Sequence, residues 1–97
     1  MRLPDLKILN GQTNGVSIDV AEIDELTIYG PAALTGVIST EVSPDGGTTW
    51  YPYAGAPAIN VRVTYSTIHA HKMRLVSTLA EGAERVFPVH GSSLVTT

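Results

Sequence analysis

Two histidines two residues apart, His69 and His71, are the first side chains in this 97-residue sequence whose spacing could do chemistry. On a strand both imidazoles point to one face, as a pair of metal ligands would, and His90 could add a third. No carboxylate stands at ligand spacing beside the pair, so residues 68–72 read as the surface start of a strand and no metal is expected. Ser92 and Ser93 follow His90 and Gly91 but lack the G-x-S-x-G elbow that presents a nucleophilic serine. Asp19, Glu22, Asp24 and Glu25 lack the spacing of a calcium loop and read as a solvated connection. Gly46 and Gly47 are not followed by the Lys and Ser/Thr of a phosphate-binding loop. No acid, base and nucleophile can be assembled, so the expectation is a protein that is not an enzyme and needs no cofactor.

Arg74 raises a different question. It stands between Met73 and Leu75 in an apolar run, where an unpaired guanidinium would be prohibitively costly. Either Glu41 or Glu84 pairs with it, or it sits at an interface between subunits. Trp50, Tyr51 and Tyr53 around Pro52 form the one aromatic cluster. Strand alternation puts Trp50 and Pro52 on one face and both tyrosines on the other, so one set is displayed. Tyr51, Tyr53 and Arg74 are accordingly the candidate interface residues, suited to protein contact or to stacking on a sugar.

The elements that must position these residues follow from composition and turn spacing. Val, Ile and Thr supply 28 of the 97 residues, charged residues are 15% against a typical ~25%, and cysteine is absent. Absent cysteine removes disulfide scaffolds, zinc ribbons and thiol catalysis. A formal net charge of -3 gives no electrostatic footprint for nucleic acid. No run of 18 apolar residues spans a membrane, and the start Met1-Arg2-Leu3-Pro4-Asp5-Leu6-Lys7 offers no apolar signal-peptide core, so a cytoplasmic or particle-borne product is expected. Turn signals recur at Asn10-Gly11, Asn14-Gly15, Gly30-Pro31, Pro44-Asp45-Gly46-Gly47, Gly55, Gly82 and Gly91, with period-two alternation between them. This predicts one antiparallel β-sandwich, immunoglobulin-like or jelly-roll-like, over residues 1–97. Seven or eight strands are expected, near 16–20, 25–29, 34–43, 48–53, 59–65, 71–79 and 84–90, with a short one at 6–9. Residues 20–26 and 79–85 could each make at most a turn or so of helix, too short to be stable alone. Leu79 is placed on the core face with Met73 and Leu75, and Val76 suggests cover on both faces of that strand. Residues 1–10 and 92–97 are expected to be contact arms that order on binding.

The strongest local signal is Ser43-Pro44-Asp45-Gly46-Gly47-Thr48-Thr49-Trp50. Asp45 can accept from backbone N–H groups beyond it, the two glycines permit positive φ, and Trp50 is expected to fold under the turn and anchor it to the core. The segment resembles the Asp box, the hairpin motif repeated in sialidase propellers and found singly in other β proteins. A propeller needs at least four blades of about 40–50 residues, so the resemblance implies a structural hairpin (Ser43, Asp45, Gly46, Gly47, Thr49, Trp50) and not a sialidase.

Residues 26–90 as a whole, from Leu26-Thr27-Ile28-Tyr29-Gly30-Pro31 through the hairpin to Met73-Arg74-Leu75-Val76-Ser77 and Arg85-Val86-Phe87-Pro88-Val89, are similar to small β-sandwich virion proteins of tailed bacteriophages. That resemblance implies a non-enzymatic capsid decoration or cement protein that binds the major capsid protein in many copies. A head-to-tail connector or tail component is the alternative. It implies location in the virion, and in the host cytoplasm during assembly. A glycan-binding module using Tyr51 and Tyr53 is the reading from a different class.

Overall fold

The computed structural model describes residues 2–66 and 68–93. It is all-β, with eight strands: β1 (Arg2–Ile8), β2 (Ile18–Asp19), β3 (Ile23–Tyr29), β4 (Ile38–Ser43), β5 (Tyr51–Tyr53), β6 (Arg62–Tyr65), β7 (Lys72–Ser77) and β8 (Arg85–Ser93). They form two four-stranded antiparallel sheets, ordered β1-β8-β3-β6 and β2-β7-β4-β5. The expected sandwich and its strand number are therefore present.

The order also separates the two architectures left open by the sequence. First pairs with last and so on inward: β1 with β8, β2 with β7, β3 with β6, β4 with β5. An immunoglobulin-type sandwich keeps its first two strands side by side in one sheet, whereas β1 and β2 here lie in different sheets. The nested pairing is that of an eight-stranded jelly roll.

Alternating hydrophobic residues fill the space between the sheets. Leu6, Ile8, Leu26, Ile28, Phe87 and Val89 come from one sheet, and Ile18, Ile38, Met73 and Leu75 from the other, all buried. One polar link crosses this core. The Tyr65 hydroxyl donates to Gly55 O at 3.0 Å and so accepts from Thr40 Oγ1 at 2.6 Å. Burial pushes the Tyr65 phenol above its usual range.

Several expectations change. No helix forms among the described residues: Asp19 Oδ1 accepts from Ala21 N at 2.9 Å to close a turn, and Ile23 already begins β3. Residues 79–84 are loop, because β7 ends at Ser77. Leu79, expected inside, is 57% exposed, and Ser77 takes the inward position that follows Met73 and Leu75. Val76 is half-buried on the outer face, with Asn14 bridged beside it. Residues 2–8 are not an arm, since β1 pairs with β8 and its Leu6 and Ile8 are fully buried. β8 extends through residue 93, and 94–97 lie outside the described residues.

Nested pairing sends alternate connections to opposite ends. Connections 9–17, 30–37, 54–61 and 78–84 gather at one end, tied by Gly11 N to Glu81 O at 2.7 Å, Glu81 N to Gln12 O at 3.1 Å and Asn60 N to Pro31 O at 2.9 Å. Connections 20–22, 44–50 and 66–71 meet at the other end, where His71 N donates to Ser43 O and Val20 N to His71 O, both at 2.8 Å.

Candidate functional site

The 44–50 connection is built as a closed hydrogen-bonded loop. Buried Ser43 donates through Oγ to Asp45 Oδ1 at 2.7 Å and accepts from Gly47 N at 2.9 Å. Asp45 Oδ1 also accepts from Thr49 N at 2.9 Å and Thr48 N at 3.2 Å. The Thr49 amide, with the Ser43 and Thr49 hydroxyls, holds the Asp45 carboxyl down at about 2. Gly46 and Gly47 have φ of 78° and 103°, a region a Cβ disfavours.

Trp50 is a correction. Its indole does tuck under the turn, with Nε1 donating to Gly47 O at 3.1 Å, but it is only half-buried and is not among the core residues. The register explains this. Pro52 pairs with Glu41, and Tyr53 with Thr40, whose side chain is buried, so Trp50 shares the outward face of Pro52. There the Arg74 guanidinium lies 4.2 Å above the indole. Arg74 has the partner the sequence demanded, Glu41, its cross-strand neighbour, at 2.8 and 2.9 Å to Oε1. Arg74, Trp50 and Glu41 thus make an exterior brace from hairpin to sheet.

The two tyrosines do not act as a pair. Tyr53 meets Tyr65 edge-on at 5.1 Å and donates to Ser66 O at 2.6 Å, which seals the open side between β5 and β6. Tyr51 is 54% exposed. A stacking platform needing both rings is therefore not assembled, and Tyr51 alone is displayed.

The opposite end holds a feature that sequence reading missed. Leu34, Val37, Ile38, Ala56, Pro57 and Ile59 line an open apolar groove of about 450 Å³ between connections 30–37 and 54–61. Val37, at 73%, is the most exposed large hydrophobic side chain among the described residues, and Ile59 is 47% exposed. One wall is held by Glu81, a buried carboxylate. Its Oε1 accepts from Thr35 N at 2.8 Å and Arg85 Nε at 2.8 Å; its Oε2 accepts from Gly36 N at 2.9 Å and Ser77 Oγ at 2.7 Å. Burial pushes its pKa up, but Arg85, Ser77 and the two amides outweigh that and hold it at about 2. The other wall packs so closely that a Cβ on Gly30 would collide with the Ala58 carbonyl. The only sequence signal for Glu81 was Arg85 four residues on.

The remaining chemistry-bearing residues stay apart. His71 Nε2 lies 3.8 Å from Asp19 Oδ2, with His71 half-buried and Asp19 exposed, and His69, at φ 45°, lines a shallow depression together with His71, Ala21 and Pro44. His90 is on the other sheet, edge-on to Tyr29 at 5.9 Å. Among the described residues no three His, Asp or Glu converge as metal ligands. Ser92 pairs in register with Glu25 within the sheet, and the Ser93 side chain lies outside the described residues.

Fold and surface together define a jelly-roll domain with an apolar groove between its loops at one end and a braced acidic hairpin at the other. No family model matches the chain, and no curated protein or solved structure matches it either.

Proposed function

We propose that the chain is a non-enzymatic structural subunit of a bacteriophage particle, a decoration protein that attaches to the major capsid lattice. The observation that carries this reading is the groove between connections 30–37 and 54–61, because Val37 and Ile59 stand exposed beside a concave apolar surface of about 450 Å³. Such a surface suits an inserted apolar side chain of a partner protein, which is how buried anchors dominate binding. The layout of residues 26–90 supplies the virion part of the proposal. The jelly-roll order is compatible with it and does not single it out, since capsid and lectin domains both use that architecture.

Quantitative mass spectrometry on purified particles of the encoding phage tests the proposal. A lattice-scale copy number supports decoration. A ring-sized copy number transfers the chain to the connector or tail. Absence from the particle overturns the virion role altogether.

A further inference from the structure

The outward face of the β1-β8-β3-β6 sheet carries a charge arrangement that the chain itself does not satisfy. Arg2, Arg74 and Arg85 each have a carboxylate partner, in Asp5, Glu41 and Glu81. Arg62 has none among the described residues. It sits exposed on β6, in register with Tyr29 on β3. Four residues back along β3, on the same face, Glu25 is also exposed and, among the described residues, has no ion pair; Ser66 Oγ lies 3.4 Å from its Oε2. Between them the exposed polar groups are paired with one another. The Thr27 and Thr64 hydroxyls bond each other at 2.8 Å, and His90 meets Tyr29 edge-on.

We propose that this face is a homotypic interface, occupied by the same face of a second copy running antiparallel. A two-fold axis crossing β3 at Thr27 places Glu25 of each copy opposite the row that carries Tyr29 and Arg62 of the other. The face is therefore self-complementary, as an isologous interface must be. Packed sheets stand about 10 Å apart, a gap that a glutamate and an arginine reaching toward each other can close. Both ion pairs form near the rim, with Thr27, Thr64, His90 and Tyr29 between them. Four strands about 4.8 Å apart and seven residues of β3 rising about 3.4 Å each give a footprint of roughly 450 Å² per copy. That is below the roughly 800 Å² per partner of a standard stable interface, so the dimer is of the weak, transient class with affinity on the order of micromolar or weaker. The inference does not rest on the particle role proposed above, because it is read on the isolated chain.

Sedimentation equilibrium of the full chain from about 5 µM to 1 mM tests it. Expected is a reversible dimer that Arg62→Glu and Glu25→Arg each weaken by about tenfold or more, and that the double charge swap restores to within about threefold of the parent. Both side chains are exposed, so unchanged melting temperatures verify that the variants fold. Amide shifts of Thr27, Thr64 and His90 on dilution of the unaltered protein give a readout independent of mutation. A monomer throughout the range, a dimer indifferent to Arg62→Glu, or no rescue in the double variant each overturns the proposal.

Discussion

Glu81 concentrates the electrostatics of this molecule in a single residue, because its carboxylate is sealed from solvent yet satisfied by four donors. Its folded pKa of about 2 lies below the ordinary 4.5, so the stability it contributes is complete above about pH 4.5 and is lost as pH falls toward 2. Asp45, also held at about 2, titrates in an overlapping acid window. Urea unfolding at pH 6, 4 and 3 is expected to show a falling midpoint in the parent. In Glu81→Gln the curve starts lower, by about 2–4 kcal/mol, because the Gln amide cannot accept from Gly36 N and Arg85 loses its counter-charge. It is also flatter between pH 4.5 and 3. An equally steep acid loss in that variant would assign the effect to other carboxylates. Tyr65→Phe is the neutral counterpart. It strands Thr40 Oγ1 and Gly55 O, and is expected to lower stability by about 1–3 kcal/mol in the same measurement, with no change in acid slope.

The hairpin shows what a local element can carry by itself. Asp45→Ala removes the acceptor for Thr48 N, Thr49 N and Ser43 Oγ, and is expected to lower the urea unfolding midpoint and to loosen the turn. Gly47→Ala, at φ 103°, is expected to cost about 1 kcal/mol or more by the same assay; a neutral result would mean the turn relaxes out of that conformation. This hairpin was legible in the sequence because its donors and acceptors lie within a few residues of one another. Strand number and the inward Met73 and Leu75 of β7 were legible too, since the period of two is also local. The side taken by Trp50 was not, because it depends on Pro52 pairing with Glu41 across the sheet. Sheet order was out of reach for the same reason: nothing in residues 2–8 announces that they pair with the last strand, which begins only at Arg85. Beside the Gly82 turn signal, Glu81 gave no sign of burial, since its partners Thr35, Gly36 and Ser77 are brought to it only by the jelly-roll closure.

For the whole molecule, the nested pairing makes two unlike ends from one chain. Asp19, Glu22, Glu25 and Asp45 collect at the hairpin end, while the opposite end presents Val37 and Ile59 beside the apolar groove. An acidic end stays hydrated, and an apolar end gains from being covered, so the particle role proposed above would use the groove end for attachment. Val37 contributes little to folding because most of its side chain is already in water. Val37→Glu is therefore expected to leave the unfolding midpoint within about 0.5 kcal/mol of the parent. In a binding assay against particles stripped of this subunit, the same substitution should reduce occupancy at least tenfold, since it places a charge in a desolvated contact. Ile59→Lys, on the facing wall, should behave alike, whereas Tyr51→Ala on the distant edge strand should bind as the parent does. Full occupancy by Val37→Glu, or loss of binding by Tyr51→Ala alone, would move the attachment surface away from the groove and onto the β5 edge.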